Sequence, residues 1–113
     1  MPDHIRIREP GGTWVVRAGG AVIAETTHAV ELNENGHPPV IYFPRADVAM
    51  AFLDRSATST TCPHKGEARY FTIVTKSKPI TDAAWSYETP KAGLEAIAGH
   101  LAFYKDKVTI EAI

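Results

Sequence analysis

Short runs in which apolar and polar residues alternate make up most of this chain. Ile5-Arg6-Ile7-Arg8 puts isoleucine on one side and arginine on the other, as a half-buried strand does. Thr13-Trp14-Val15-Val16-Arg17 is β-branched and aromatic, which favours a second strand. Gly19-Gly20 joins it to Ala21-Val22-Ile23-Ala24-Glu25. Two adjacent glycines can both take positive φ, so this pattern predicts a hairpin. Further short strands are predicted over residues 29–32 and 40–43. Between them Asn33-Glu34-Asn35-Gly36-His37-Pro38-Pro39 has the composition of a turn.

The period changes over residues 45–53. Val48 with Phe52 and Met50 with Leu53 have helical spacing, so one short helix is expected, with Pro44 in its first turn. The Ser/Thr-rich stretch 56–61 suits a loop or a strand. Residues 67–75 alternate again, with Glu67, Arg69, Phe71 and Ile73 on one face and Ala68, Tyr70, Thr72 and Val74 on the other. Residues 83–87 place Ala83, Trp85 and Tyr87 on a common face. A helical turn over 91–97 would bury Leu94 and Ile97, and strands over 100–104 and 108–113 close the chain. The sum is a mainly β protein of eight or nine short strands with one or two short helices. Strands so short and so spaced imply antiparallel pairing in a compact β-sandwich or open barrel. A doubly wound α/β sheet would need a helix between most strands, and these are lacking.

Composition narrows the class without naming a reaction. A chain of 113 residues suits a single domain, residues 1–113, that buries one core without staples. The 44% apolar and 22% charged residues are those of a globular protein rather than a disordered one. A net charge of −1 and a pI near 6.5 argue against binding nucleic acid through the overall field. The lone cysteine cannot form an intrachain disulfide, so a reducing, cytoplasmic setting is expected. The N-terminal stretch Met1-Pro2-Asp3-His4-Ile5-Arg6 has no apolar run for a signal peptide, and no membrane span is expected. The five histidines, at 4, 28, 37, 64 and 100, form neither a His-x-His nor a His-x-x-x-His pair, so neither a metal nor another cofactor is expected.

The densest chemistry lies in Thr60-Thr61-Cys62-Pro63-His64-Lys65-Gly66-Glu67-Ala68-Arg69-Tyr70. Cys62 reads as a nucleophile, its thiolate favoured by His64 and Lys65, or as a small core residue. Lys65-Gly66 reads as a contact for a carboxylate or phosphate, or as the turn that enters the next strand. Glu67 is a candidate general base, or an ion-pair partner for Arg69, Lys65 or Arg45. Asp47 suits a helix N-terminus for capping reasons alone. Trp85 and Tyr87 could wall a pocket, with the indole N–H and phenol O–H at its mouth, or fill the core; Trp14 is read in the same way.

Four segments together resemble one known family: Tyr42-Phe43-Pro44-Arg45-Ala46-Asp47-Val48, Thr60 through Ala68, Ala83-Ala84-Trp85-Ser86-Tyr87-Glu88, and Ile97-Ala98-Gly99-His100-Leu101-Ala102-Phe103-Tyr104. The first three are similar to the Tyr-Phe-Pro-x-x-Asp-Val, Thr-x-Cys-Pro-x-Lys-Gly-x-Ala and Ala-Trp-x-Tyr segments of the domain-of-unknown-function family numbered 427. The early Gly-Gly-x-Val-Ile-Ala run also fits, so the resemblance runs from about residue 15 to residue 108. It implies a compact fold similar to the β-tent folds. The four-cysteine zinc of some β-tent relatives does not carry over to a chain with one cysteine. The nucleotidyltransferase label sometimes given to the family finds neither a Gly-Ser pair followed by spaced aspartates nor a Gly-x-x-x-x-Gly-Lys loop here.

Three functions remain open at this point. The first is a binding module in which Arg45, Lys65, Glu67, Trp85 and Tyr87 hold an unknown small polar or anionic molecule. The second is an enzyme in which Cys62 attacks an electrophilic carbon with help from His64 or Glu67. The third is a protein-interaction domain without pocket chemistry. The oligomeric state is not legible in the sequence.

Overall fold

The computed structural model describes residues 3–113. The first two residues of the N-terminal stretch read above as lacking a signal peptide lie outside the described residues. The protein is mainly β, with ten strands among the described residues: β1 (Ile5–Arg8), β2 (Trp14–Ala18), β3 (Ala21–Thr26), β4 (Val30–Glu34), β5 (Val40–Tyr42), β6 (Leu53–Cys62), β7 (Gly66–Ile73), β8 (Ile80–Ser86), β9 (Ala102–Phe103) and β10 (Thr109–Ala112). They form three antiparallel sheets, ordered β1-β4-β5, β10-β2-β3 and β6-β7-β8-β9. Two isolated bridges, Phe43 to Leu101 and Ala24 to Val48, tie the sheets together.

The expected hairpin at Gly19-Gly20 forms, with φ of 56° and 77° at the two glycines. Gly19 has a second reason to lack a side chain: a Cβ there would sit 2.3 Å from the Thr75 hydroxyl oxygen. The stretch 56–61 is strand, inside the ten-residue β6. β6 is an edge strand, and most of its Ser and Thr side chains are exposed.

Residues 45–53 differ from expectation. They form two 3-10 turns, Arg45–Asp47 and Met50–Phe52, rather than one helix. Val48 between them is extended, at φ −107° and ψ 135°, because it is taken up by the bridge to Ala24. Nine residues give a helix little stability of its own, and here the bridge to the β3 edge prevails over helical spacing. Asp47 does not cap either turn; its carboxylate accepts a 2.7 Å hydrogen bond from the buried Thr26 hydroxyl. The 3-10 turn Glu95–Ile97 buries Leu94 and Ile97 completely, as expected.

Two apolar clusters form the interior. One gathers Val16, Ile23, Phe43, Phe71, Ile73 and Leu101, and Trp14 packs against it. The other gathers Ile5, Val30, Leu32, Tyr42, Leu94 and Ile97, with Tyr70 and Trp85 against it. The sheet β6-β7-β8-β9 supplies residues to both. Among the described residues no helix is long and apolar enough to cross a membrane.

Candidate functional site

The second cluster does not close. Between the β1-β4-β5 sheet and the β6-β7-β8-β9 sheet lies a cavity of about 780 Å³. That is within the usual range for a small-molecule site. Its wall is built by strand alternation. Leu32 and Glu34 project from one face of β4, Tyr42 ends β5, and Tyr70 shares a face of β7 with the buried Ala68. Trp85 near the end of β8 and Tyr87 just after it both line the space, as does Tyr104 just after β9.

The aromatic groups support one another. Trp85 packs against Tyr104 with ring centroids 4.6 Å apart, and Tyr42 meets Trp85 edge-on at 6.5 Å. Tyr70 lies nearly parallel to Tyr104, at 12° and 6.5 Å. The Tyr70 hydroxyl is within 3.0 Å of the Thr60 hydroxyl. Tyr42 and Tyr87 are different. Their side chains are buried, at 1% and 7% exposure, yet among the described residues neither hydroxyl has a partner in hydrogen-bonding geometry. Both residues line the cavity. Burial pushes the Tyr42 hydroxyl up to about 12, with the nearby Trp85 indole N–H acting in the opposite direction. Burial likewise raises Tyr87, reinforced by Tyr42, Cys62, Tyr70 and Glu34 around it. Both phenols stay protonated at neutral pH.

One ion pair sits on the same wall. The Lys65 ammonium donates a 2.7 Å hydrogen bond to Glu34, and the two side chains are only 13% and 15% exposed. The Lys65 hydrogen bond holds the Glu34 carboxyl below its usual value. His4 lies 3.6 Å from the other Glu34 oxygen, and His4 and His64 meet edge-to-face at 4.5 Å. The tight turn after β6 positions Lys65. Cys62 pairs with Gly66 across it, Gly66 takes φ 111°, and the Lys91 amide donates to the Lys65 carbonyl at 3.0 Å. So Lys65-Gly66 does form the turn into β7, and the lysine is packed against Glu34 rather than solvated.

A comparison with protein families matches residues 6–113 to a family described as Domain of unknown function (DUF427). The chain belongs to this family. No curated protein matches it. All four segments that carry the DUF427 resemblance reach the cavity: the first through Tyr42, the second through Cys62 and Lys65, the third through Trp85 and Tyr87, and the fourth through Phe103 and Tyr104.

The remaining predicted site residues of this DUF427 chain lie elsewhere. Arg45 and Glu67 do not line the cavity. Arg45 bonds Glu88 at 3.0 Å and the Gly99 carbonyl at 2.9 Å, with its guanidinium 5.6 Å from the Phe71 ring centre. It thereby clamps the end of β8 to the first 3-10 turn. Glu67 is exposed and pairs with Arg69 at 3.2 Å, on the face of β7 opposite Ala68 and Tyr70. His64 is exposed and also lies off the cavity wall, while Cys62 is half-buried on it. Trp14 is a core residue whose indole donates to the Gly11 carbonyl. Among the described residues no group of three or more acidic, His or Cys side chains could hold a metal.

Sequence reasoning missed Glu34, Tyr42, Tyr70 and Tyr104 as site residues. A signal existed for the first: Leu32 and Glu34 are two apart, so extending the strand by two residues places Glu34 on the inner face.

Proposed function

We propose that this domain binds a small polar molecule in the cavity between the β1-β4-β5 and β6-β7-β8-β9 sheets. The observation that carries this reading is the pair of buried tyrosines, Tyr42 and Tyr87, that line the cavity and whose hydroxyls have no partner in hydrogen-bonding geometry among the described residues. A buried hydroxyl without a partner costs free energy, so a core selected only for stability would hold phenylalanine at these positions. The aromatic rings supply apolar area, and the hydroxyls and the Glu34–Lys65 pair supply orientation. Lys65, Trp85 and Tyr87 act at the site, joined by Tyr42, while Arg45 and Glu67 serve as structural ion pairs.

The catalytic alternative retains one observation in its favour: Cys62 lines the same cavity. The two bases the sequence pattern offered it, His64 and Glu67, both lie off that wall.

Cys62 provides the test, because it is the only thiol and it faces the cavity. Its rate of alkylation by iodoacetamide is measured with and without small polar ring compounds. A bound occupant slows alkylation in a saturable way, and the alkylated protein no longer binds. Equal alkylation rates across every compound that binds the protein would place binding elsewhere. A Cys62 alkylated far faster than a free thiol, with a titration well below about 8.5, would favour the catalytic reading.

A further inference from the structure

We propose that the cavity selects an uncharged, flat, carbonyl-edged molecule, gripped by hydrogen bonds from the Tyr42 and Tyr87 hydroxyls. This deepens the binding reading above and rests on it.

Charge is the first discriminator. The less exposed part of the cavity wall carries Lys65 and Glu34, and these two already satisfy each other at 2.7 Å; the lining residues His37, Lys105 and Asp106 are exposed, and the last two are adjacent and of opposite charge. The ammonium has further N–H donors, but its charge is already matched by Glu34 at 2.7 Å, so an anionic ligand at Lys65 meets the Glu34 carboxylate beside it. That like-charge contact opposes the gain from a second hydrogen bond and leaves little to cover desolvation of the ligand. A cation meets a different obstacle. Aromatic faces attract cations in general. Here the faces are in use: Trp85 packs on Tyr104, Tyr42 points its edge into Trp85, and Tyr104 already has the Lys107 ammonium 5.4 Å from its ring centre. Lys65 on the same wall opposes a second positive charge.

Hydrogen-bond polarity is the second discriminator. The phenols of Tyr42 and Tyr87 are held neutral by burial and so offer O–H donors. The Trp85 indole N–H approaches the Tyr42 oxygen as a donor, so it is the Tyr42 O–H proton that is left without an acceptor. Hydroxyl protons without acceptors call for acceptors on the occupant, which an amide, lactam or similar carbonyl group provides without charge. The aromatic wall of Tyr42, Tyr70, Trp85 and Tyr104 suits a flat ring behind that carbonyl.

Three probes of nearly one shape separate the cases: benzamide, benzoate and benzylammonium. Each is titrated calorimetrically into the wild-type chain and into the Tyr42→Phe/Tyr87→Phe double variant, whose fold is checked by its unfolding midpoint. Benzamide is expected to bind the wild type at least about fivefold more tightly than either charged probe, and to lose about tenfold in the double variant, the scale of one to two neutral hydrogen bonds. Should benzoate bind tightest and lose that advantage in Lys65→Met, the charge selection is wrong while the cavity reading stands. Should benzylammonium bind tightest, selection for a neutral ligand fails in the same way. Equal benzamide affinity in wild type and double variant overturns the role given to the two hydroxyls. If none of the three binds, and none slows alkylation of Cys62, the binding reading itself falls with the inference.

Discussion

Replacing Tyr42 by phenylalanine separates a functional hydroxyl from a structural one by the sign of its effect. Tyr42 is 1% exposed, and its ring meets Trp85 edge-on at 6.5 Å, a contact phenylalanine preserves. Only the hydroxyl is lost. A buried hydroxyl with a good protein partner typically contributes about 1 kcal/mol, so its removal destabilises. A buried hydroxyl without one carries a desolvation cost of about 1–3 kcal/mol when fully sealed. Tyr42 lines the cavity and the Trp85 indole N–H approaches its oxygen, so the lower end of that range applies. Tyr42→Phe is therefore expected to leave stability unchanged or raise it by up to about 1 kcal/mol, or roughly 4 °C in Tm for a domain of this size. Urea unfolding followed by circular dichroism measures it, with an unchanged m-value showing that the same surface is exposed. Tyr87→Phe should behave alike. Tyr70→Phe is the internal contrast: its hydroxyl is 3.0 Å from that of Thr60, so a small loss of about 0.5 kcal/mol is expected. A loss above 1 kcal/mol in Tyr42→Phe would mean that the hydroxyl has a structural role, and the reasoning for the site would fail.

Other substitutions test the frame around the cavity. Phe43 is fully buried between the sheets, 5.8 Å from Phe103, so Phe43→Ala should cost about 3–5 kcal/mol in urea unfolding. Glu34→Gln leaves the Lys65 ammonium half-buried without a counter-charge, at a cost of about 2 kcal/mol at pH 7, and Lys65→Met in the same background should recover part of it. The Glu34 carboxyl is held below its usual value when folded, so its contribution is complete above the unfolded pKa near 4.3 and disappears as pH falls through the lower folded value. The wild type should thus lose stability on acidification below about pH 5, with a shallower acid limb in Glu34→Gln. At Gly66, φ of 111° strains any side chain although a Cβ would meet nothing closer than 3.6 Å, so Gly66→Ala should cost 1 kcal/mol or somewhat more through the backbone alone.

The strands were legible in the sequence because period-two alternation is a local property, and each inner face had only to find a partner. β2 with β3, the start of β1 and the faces of β7 all followed from it. The stretch 45–53 did not. Its helical spacing is genuine, but Val48 is claimed by a bridge to Ala24, more than twenty residues away. The candidate site was legible in part for the same reason. Trp85 and Tyr87 share a face by alternation, and Lys65 follows from the turn chemistry of Pro63 and Gly66. Whether Lys65 would meet solvent, a ligand or Glu34 depends on how one sheet packs over another, which local pattern does not encode. Arg45 and Glu67 were drawn into the site by their nearness in sequence to its motifs. Strand alternation then carried Glu67 to the face of β7 opposite Tyr70, and the Glu88 carboxylate held Arg45 just beyond the end of β8. Tyr42 was hidden in an apolar run, where a tyrosine looks like one more core ring until its hydroxyl is found without a partner.

The chain has two tryptophans, and they form a built-in comparison. Trp85 lines the cavity, while Trp14 lies against the other apolar cluster with its indole bonded to the Gly11 carbonyl at 3.1 Å. The most direct measurement of the central claim is the pair of indole N–H resonances in a nitrogen-15 correlation spectrum during titration with benzamide. Occupation of the cavity predicts a saturable shift of the Trp85 resonance, with the Trp14 resonance unmoved. A Trp85 resonance that stays in place to the solubility limit, or two resonances that drift together, would contradict a binding site between these sheets.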